Sequence, residues 1–193
     1  PSILEAIGYI GDRAAALHAV RTPGPPERLE LRLVESGRPF AAGGKDVAFL
    51  HAELRDANGT VVPDAWENVF FGATGEVQLV GANPFSSEAG IASILVQSEA
   101  RQPRGAVYAL CLARDGERVN ILSAAFGVGG EAEPFEVRAT TDGSDPETGA
   151  VHRAGPAIGA DRVQAALFVD GRRVAEADTE SPRFRIAGST APV

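Results

Sequence analysis

Residues 46–56, DVAFLHAELRD, alternate strictly along the chain. Leu50, Ala52 and Leu54 fall on one side of an extended backbone, and His51, Glu53 and Arg55 fall on the other. A period of two is the mark of a strand with one face in a core, because successive side chains leave a strand on opposite faces. Asn58-Gly59 follows, a pair that tolerates positive φ and suits a tight turn. Upstream, RLELRLVES (28–36) sets Leu29, Leu31 and Leu33 against charged neighbours. Downstream, GEVQLV (75–80), IASILVQS (91–98), GAVYALCLA (105–113) and RVNILSAAF (118–126) continue the pattern, and each is taken here as a strand with one buried face. Turn signals at Gly43-Gly44, Asn83-Pro84 and Asp115-Gly116 separate them. The stretch AAALHAV (14–20) is the one place where a helical turn competes, and the strand reading is preferred there. The chain is therefore expected to be all-β: an immunoglobulin-like antiparallel β-sandwich with a second, smaller β-sandwich-like module.

Four parts are expected along the 193 residues. Residues 1–23 form a hairpin that closes a preceding sandwich module, and residues 24–128 form the complete sandwich. The small-residue stretch 129–134 is a linker. Residues 135–193 form the small β module, with strand candidates FEVRATT, DRVQAALFVDGRRVAEA and RFRIA. One internal similarity links the two ends: LEAIGYIGDRAAA (4–16) aligns without gaps to VQAALFVDGRRVA (163–175). A lone hairpin is marginal in water, so both ends are expected to dock, on the central sandwich, on each other or on another copy of the chain. The chain opens Pro1-Ser2 and contains no Met, which suggests a processed or excised piece of something longer.

Composition removes several functions. Acidic side chains exceed basic ones by 26 to 18, for a net charge of −8, and Lys45 is the one lysine. Nucleic-acid affinity rests on clustered Lys and Arg, so no nucleic-acid partner is expected. No apolar run approaches the roughly 20 residues that a membrane-spanning helix needs, and no signal-like segment opens the chain. The single Cys111 cannot make an intrachain disulfide or a thiolate cluster. Set between Leu110 and Leu112, it is expected in the core.

The segments TPGPPERLEL (22–31), GGKDVAFLHAELRDANGTVVPDA (43–65) and GATGEVQLVGANP (72–84) resemble the C-terminal immunoglobulin-like modules of glycoside hydrolase family 2, the β-galactosidase-like proteins. Where that family usually shows Gly-Asn-Gly-Asp-Pro, this chain has Gly81-Ala82-Asn83-Pro84. The opening hairpin looks like the closing hairpin of the preceding module in the same proteins. RATTDGSDPETGAVHRAGPAIGADRVQAALFVDG (138–171) is similar to the module that ends chitobiase-like and fibronectin-type-III-associated sequences. The resemblance implies a non-catalytic accessory segment, with the catalytic barrel of the parent hydrolase as its partner in cis and a periplasmic or secreted location. Two alternatives stay open: a carbohydrate-binding module, and a cell-surface adhesin repeat, since invasin-like domains share the DANG-type strand.

Catalytic groups are expected to be absent. A retaining glycosidase needs two carboxylates about 5–5.5 Å apart. The resembled family carries them on a barrel of about 250 residues, which exceeds this whole chain. That family's acid/base Glu follows an Asn, and no Asn-Glu dipeptide occurs here. There is no G-x-S-x-G, and His18, His51 and His152 lie on separate strand candidates, so neither a triad nor a zinc site is expected. The acidic loop DGSDPE (142–147) lacks EF-hand spacing and is explained by a hairpin turn. No cofactor and no metal is expected. For sugar stacking or an interdomain contact, the candidates are Trp66, just after Val62-Pro63-Asp64, and Phe85, just after Asn83-Pro84. Truncating Leu50, Leu54, Leu110 or Leu112 in the sandwich core should cost about 2–5 kcal/mol, and Glu53→Ala under about 0.5.

Overall fold

The computed structural model describes residues 2–35, 37, 39–40, 45–152 and 158–180. The Gly43-Gly44 turn, Gly155-Pro156 and the RFRIA segment lie outside the described residues. The strands are β1 (Ile3–Ile10), β2 (Arg13–Arg21), β3 (Arg28–Val34), β4 (Val47–Arg55), β5 (Asn68–Gly75), β6 (Val77–Val80), β7 (Phe85–Ser86), β8 (Ile91–Ser98), β9 (Gly105–Asp115), β10 (Arg118–Val128), β11 (Phe135–Thr140), β12 (Ala150–His152), β13 (Ile158–Gly159), β14 (Gln164–Val169) and β15 (Arg172–Asp178). Among the described residues, one 3-10 turn, Pro146–Thr148, interrupts them. All the pairings are antiparallel, and the all-β expectation holds.

Three sheets stack in three layers. The outer sheet runs β3-β4-β8-β6, the middle sheet β13-β10-β9-β5-β7, and the tail sheet β12-β11-β14-β15. Leu50, Ala52 and Leu54 are fully buried between the outer and middle sheets, as the alternation of β4 requires. They meet Val69 and Phe71 of β5 and Val107, Ala109, Cys111 and Ala113 of β9. The other face of the middle sheet is covered too. There Ala106, Tyr108, Leu110 and Leu112 of β9, with Val119 and Ile121 of β10, pack on Val137, Val163, Ala165, Leu167, Val169, Ala175 and Ala177.

β9 therefore departs from the one-buried-face reading. Its residues 106–113 are all buried, because GAVYALCLA is a continuous apolar run and not an apolar–polar alternation. Leu110 and Leu112 point into the second core and not into the first, where Cys111 lies instead. β5, NVFFGATG, carries no alternation signal for the same reason: Val69 and Phe71 face one core and Phe70 the other.

The stretch 129–134 is tied down. The Tyr108 hydroxyl donates to the Glu133 carbonyl at 3.3 Å, and the Tyr108 and Phe135 rings meet edge to face at 5.7 Å. Gly72 sets how closely the tail sheet approaches, since a Cβ there would lie 2.1 Å from the Val174 carbonyl oxygen of β15.

The amino-terminal end docks on neither the central sandwich nor the carboxyl-terminal end. β1 and β2 form a separate two-stranded sheet, and every residue of both is exposed. Leu4 is 75% exposed, Leu17 66% and Ile10 78%. The carboxyl-terminal hairpin β14–β15, by contrast, lies on the middle sheet.

Gly72→Ala is expected to cost about 1–3 kcal/mol by overpacking, because the obstructing atoms are backbone. Amide exchange should locate the damage in β15 and β5 and leave β4 and β8 protected. Uniform loss across all three sheets would contradict this packing.

Candidate functional site

The loop that follows β4 is organised by one carboxylate. Asp56, 1% exposed, accepts hydrogen bonds from the Asn58 and Thr60 amides at 2.9 and 2.8 Å and from the Gly24 amide at 3.0 Å. The first two close the turn in which Gly59 takes a φ of +82°. The third fixes the proline-rich junction against the end of the sandwich. The Gly24 hydrogen bond is the main reason that the Asp56 carboxyl titrates below its ordinary range, with Thr60 and Asn58 adding to it against burial. Asn120 completes the anchorage by donating its Nδ2 to the Pro26 carbonyl at 3.1 Å.

Trp66 sits beside this junction. Two buried serine contacts set its loop: the Glu67 amide donates to Ser87 Oγ at 2.9 Å, and Ser87 Oγ donates to the Ala65 carbonyl at 2.8 Å. Half-buried Trp66 lines a cleft of about 570 Å³ with Pro23, Pro26, Asp64, Arg114 and Asp115. Glu67 also borders the cleft, but its Oε1 accepts from the Arg114 amide at 3.2 Å. The Arg114 guanidinium donates to the Asp161 carbonyl at 3.1 Å, so the tail helps to set this wall. The sequence pointed to Trp66 and missed Pro23, Pro26 and Arg114. The signal for Arg114 is its place directly after the apolar run 106–113, where β9 emerges from the core.

Phe85 is placed differently. It lies on the short strand β7, opposite Val69, and packs partly buried against the first core. The two candidate aromatics thus belong to different surroundings, one to an open cleft and one to a core edge. Next to Phe85, the Asn83 side chain bonds both ways to Phe71, accepting from its amide at 2.9 Å and donating to its carbonyl at 2.7 Å.

Charged groups elsewhere are mostly engaged in holding the fold. Glu53 is only 4% exposed although it projects from the solvent face of β4, because Arg32 and Arg55 cover it and donate to it. Burial alone would raise its carboxyl, but the hydrogen bonds and charges of those two arginines hold it below the usual range. His51 Nδ1 lies 2.7 Å from Ser93 Oγ, and burial, with Arg32, lowers its titration. In the acidic loop, Asp142 takes the Ser144 amide and hydroxyl, and Asp145 caps the 3-10 turn through the Glu147 amide while pairing with Arg173. Among the described residues, no group of three His, Cys, Asp or Glu side chains is arranged to hold a metal. Among the same described residues, no helix is long and apolar enough to cross a membrane.

A second, larger cleft of about 750 Å³ opens where the β14–β15 turn meets the ends of β5 and β9. Gly75 and Gly105 line it, together with Arg104, Arg172, Glu131 and Glu133. It contains no aromatic ring.

No family model matches the chain. In sequence, 95 residues are 34% identical to a beta-galactosidase of Thermoanaerobacter pseudethanolicus, covering 49% of this chain and 12% of that protein. In structure, the chain is similar to two solved glycosyl hydrolase family 2 members from Bacteroides cellulosilyticus, at TM-scores of 0.51 and 0.50, each 20% identical over 65% of this chain. The match takes in 17% and 18% of those two chains. The likeness to the solved structures is one of fold. The sequence relation to the beta-galactosidase covers about half of this chain, and the chain spans about an eighth of that protein's length.

Two outcomes follow from the charges. Asp56→Asn should flatten acid denaturation. The native carboxyl titrates low, so its contribution is complete above the unfolded value near 3.9 and disappears as pH falls through the native one. Thermal midpoints from pH 5 to 2 should therefore fall less steeply in the variant. Glu53→Ala, expected from the sequence to be nearly neutral, should instead cost about 1–2 kcal/mol, because it strips two arginines of their buried partner.

Proposed function

We propose that this chain is a non-catalytic accessory segment, C-terminal to the catalytic barrel of a β-galactosidase-like family 2 hydrolase, and that its work is structural. Residues 1–23 would close a preceding sandwich module, and residues 24–128 would be the complete immunoglobulin-like sandwich. Residues 135–193 would be its added β module, joined through 129–134. The observation that carries this reading is the sequence relation to a beta-galactosidase over only an eighth of that enzyme's length. The side chains support it, because the buried carboxylates Glu53, Asp56 and Glu67 are all held by structural hydrogen bonds. A nucleophile or general acid needs at least one carboxylate oxygen directed at substrate.

The test is hydrolysis. The purified chain should release no chromophore from aryl β-galactosides at high protein concentration, whereas turnover at the pace of an ordinary enzyme would overturn the reading.

The Trp66 cleft supports a second reading, carbohydrate binding. An indole ring beside a guanidinium and carboxylates offers one apolar face and several hydrogen-bonding groups, which is what a sugar presents in complement. Trp66 is the single tryptophan, so fluorescence excited selectively at tryptophan reports on this cleft alone. Titration with galactose and β-galacto-oligosaccharides should leave the spectrum unchanged if the segment is purely structural. A saturable blue shift that Asp64→Ala, which leaves the indole in place, weakens would favour the binding module.

A further inference from the structure

The exposed hairpin has an embedded counterpart. With an offset of 159 residues, the pairs Glu5↔Ala19, Ala6↔His18, Ile7↔Leu17, Gly8↔Ala16, Tyr9↔Ala14 and Ile10↔Arg13 of β1–β2 become Gln164↔Asp178, Ala165↔Ala177, Ala166↔Glu176, Leu167↔Ala175, Phe168↔Arg173 and Val169↔Arg172 of β14–β15. Both registers shift at the same step, Gly8/Tyr9 in one and Leu167/Phe168 in the other. The turns also agree, since Gly11 and Asp170 occupy equivalent places with φ of +60° and +48°. A bulge adds one residue, bends the strand and fixes which face turns inward. Two hairpins that share a register, a bulge and a turn therefore share a curvature and a concave side.

Composition cannot choose between the faces of β1–β2. One carries Leu4, Ala6, Ile10, Ala16 and Val20, and the other Ile3, Ile7, Tyr9, Leu17 and Ala19. The counterpart chooses. In β14–β15 the face that enters the second core is Val163, Ala165, Leu167, Val169, Ala175 and Ala177. Their equivalents are Leu4, Ala6, Gly8, Ile10, Ala16 and His18, the one polar replacement among them. On the opposite face, Phe168 is buried under the guanidiniums of Arg138 and Arg173, 5.1 and 5.7 Å from its ring centre. Tyr9 takes its place.

We propose that β1–β2 is a covering hairpin, which docks through Leu4, Ala6, Gly8, Ile10 and Ala16 on the apolar outer face of a sandwich sheet preceding it in the polypeptide, as β14–β15 docks on the middle sheet. This rests on the proposed placement of the chain behind another sandwich module. The geometry adds one requirement on the receiving sheet. Val174, the residue that the second bulge inserts, rests on Gly72, and Ala15 holds the equivalent position in the first. The receiving strand is expected to carry glycine or another small residue there.

Amide exchange over residues 3–21 tests this, in the full-length polypeptide and in the 193-residue chain. Exchange should be at least tenfold slower in the full-length protein, and near open-chain rates in the shorter one. Leu4→Asp and Ala16→Asp should abolish the protection, and Glu5→Lys and Ala19→Asp, on the other face, should leave it. The opposite pattern of sensitivity, or no protection in the full-length protein, overturns the proposal. So does a dimer of the 193-residue chain with a protected hairpin, in which a second copy would be the occupant. A polypeptide with no sandwich ahead of the hairpin would remove the placement itself. A sandwich present with the hairpin unprotected would sink only the docking.

Discussion

The middle sheet is apolar on both faces, and that constraint organises the rest of the molecule. Water cannot satisfy either side of β9, whose Tyr108 and Leu110 are as fully buried as Val107 and Cys111. An ordinary sandwich covers one face of each sheet and leaves the other to polar side chains. Here the outward face would have presented Tyr108, Leu110, Leu112, Val119 and Ile121, a contiguous apolar surface of the kind that drives association. The tail sheet removes that surface from water. In return the tail, too short to enclose a core of its own, borrows half of one. Its inward residues are small and branched, Ala165, Ala175, Ala177, Val137 and Val163, which lets the two sheets approach closely.

Around this core, the polar interactions serve mainly to position segments that have little apolar surface. Asp56 joins a turn and a proline-rich junction through three amides. Asn83 stands in for a strand partner at Phe71, and Ser87 pins the loop that carries Trp66. Each satisfies backbone groups that no neighbouring strand reaches. These contacts give the Trp66 cleft its shape, so whatever occupies it meets walls fixed in advance.

Much of this was legible in the sequence, and the failures share one cause. Strands with a single buried face announced themselves: β3, β4 and β8 fall within a residue or two of where alternation puts them. β5 did not, and β9, found where the apolar run puts it, was given a wet face that it lacks, because a strand buried on both faces loses the polar half of its pattern. The misplacement of Leu110 and Leu112 followed from the same assumption, that every strand here has a wet side. Glu53 failed in the opposite sense. It does lie on the wet side, but Arg32 and Arg55 arch over it, and cross-strand neighbours of that kind depend on register between strands far apart in sequence. The Trp66 cleft was half legible. An aromatic residue after Val-Pro-Asp marks a loop, whereas its proline wall comes from forty residues earlier and is brought there by Asp56.

The close approach of β15 to Gly72 bears on how such a chain can be inherited. A module that brings its own complete core can be shuffled between genes as a cassette, because its surface tolerates new neighbours. The tail sheet cannot travel that way. It fits one particular surface, with a glycine where Val174 presses down and with Tyr108 reaching across to Glu133. Recombination within residues 129–134 would separate two halves of one hydrophobic interior and leave both insoluble. Selection should therefore hold the sandwich and its tail together as a single heritable block, with crossover tolerated outside it.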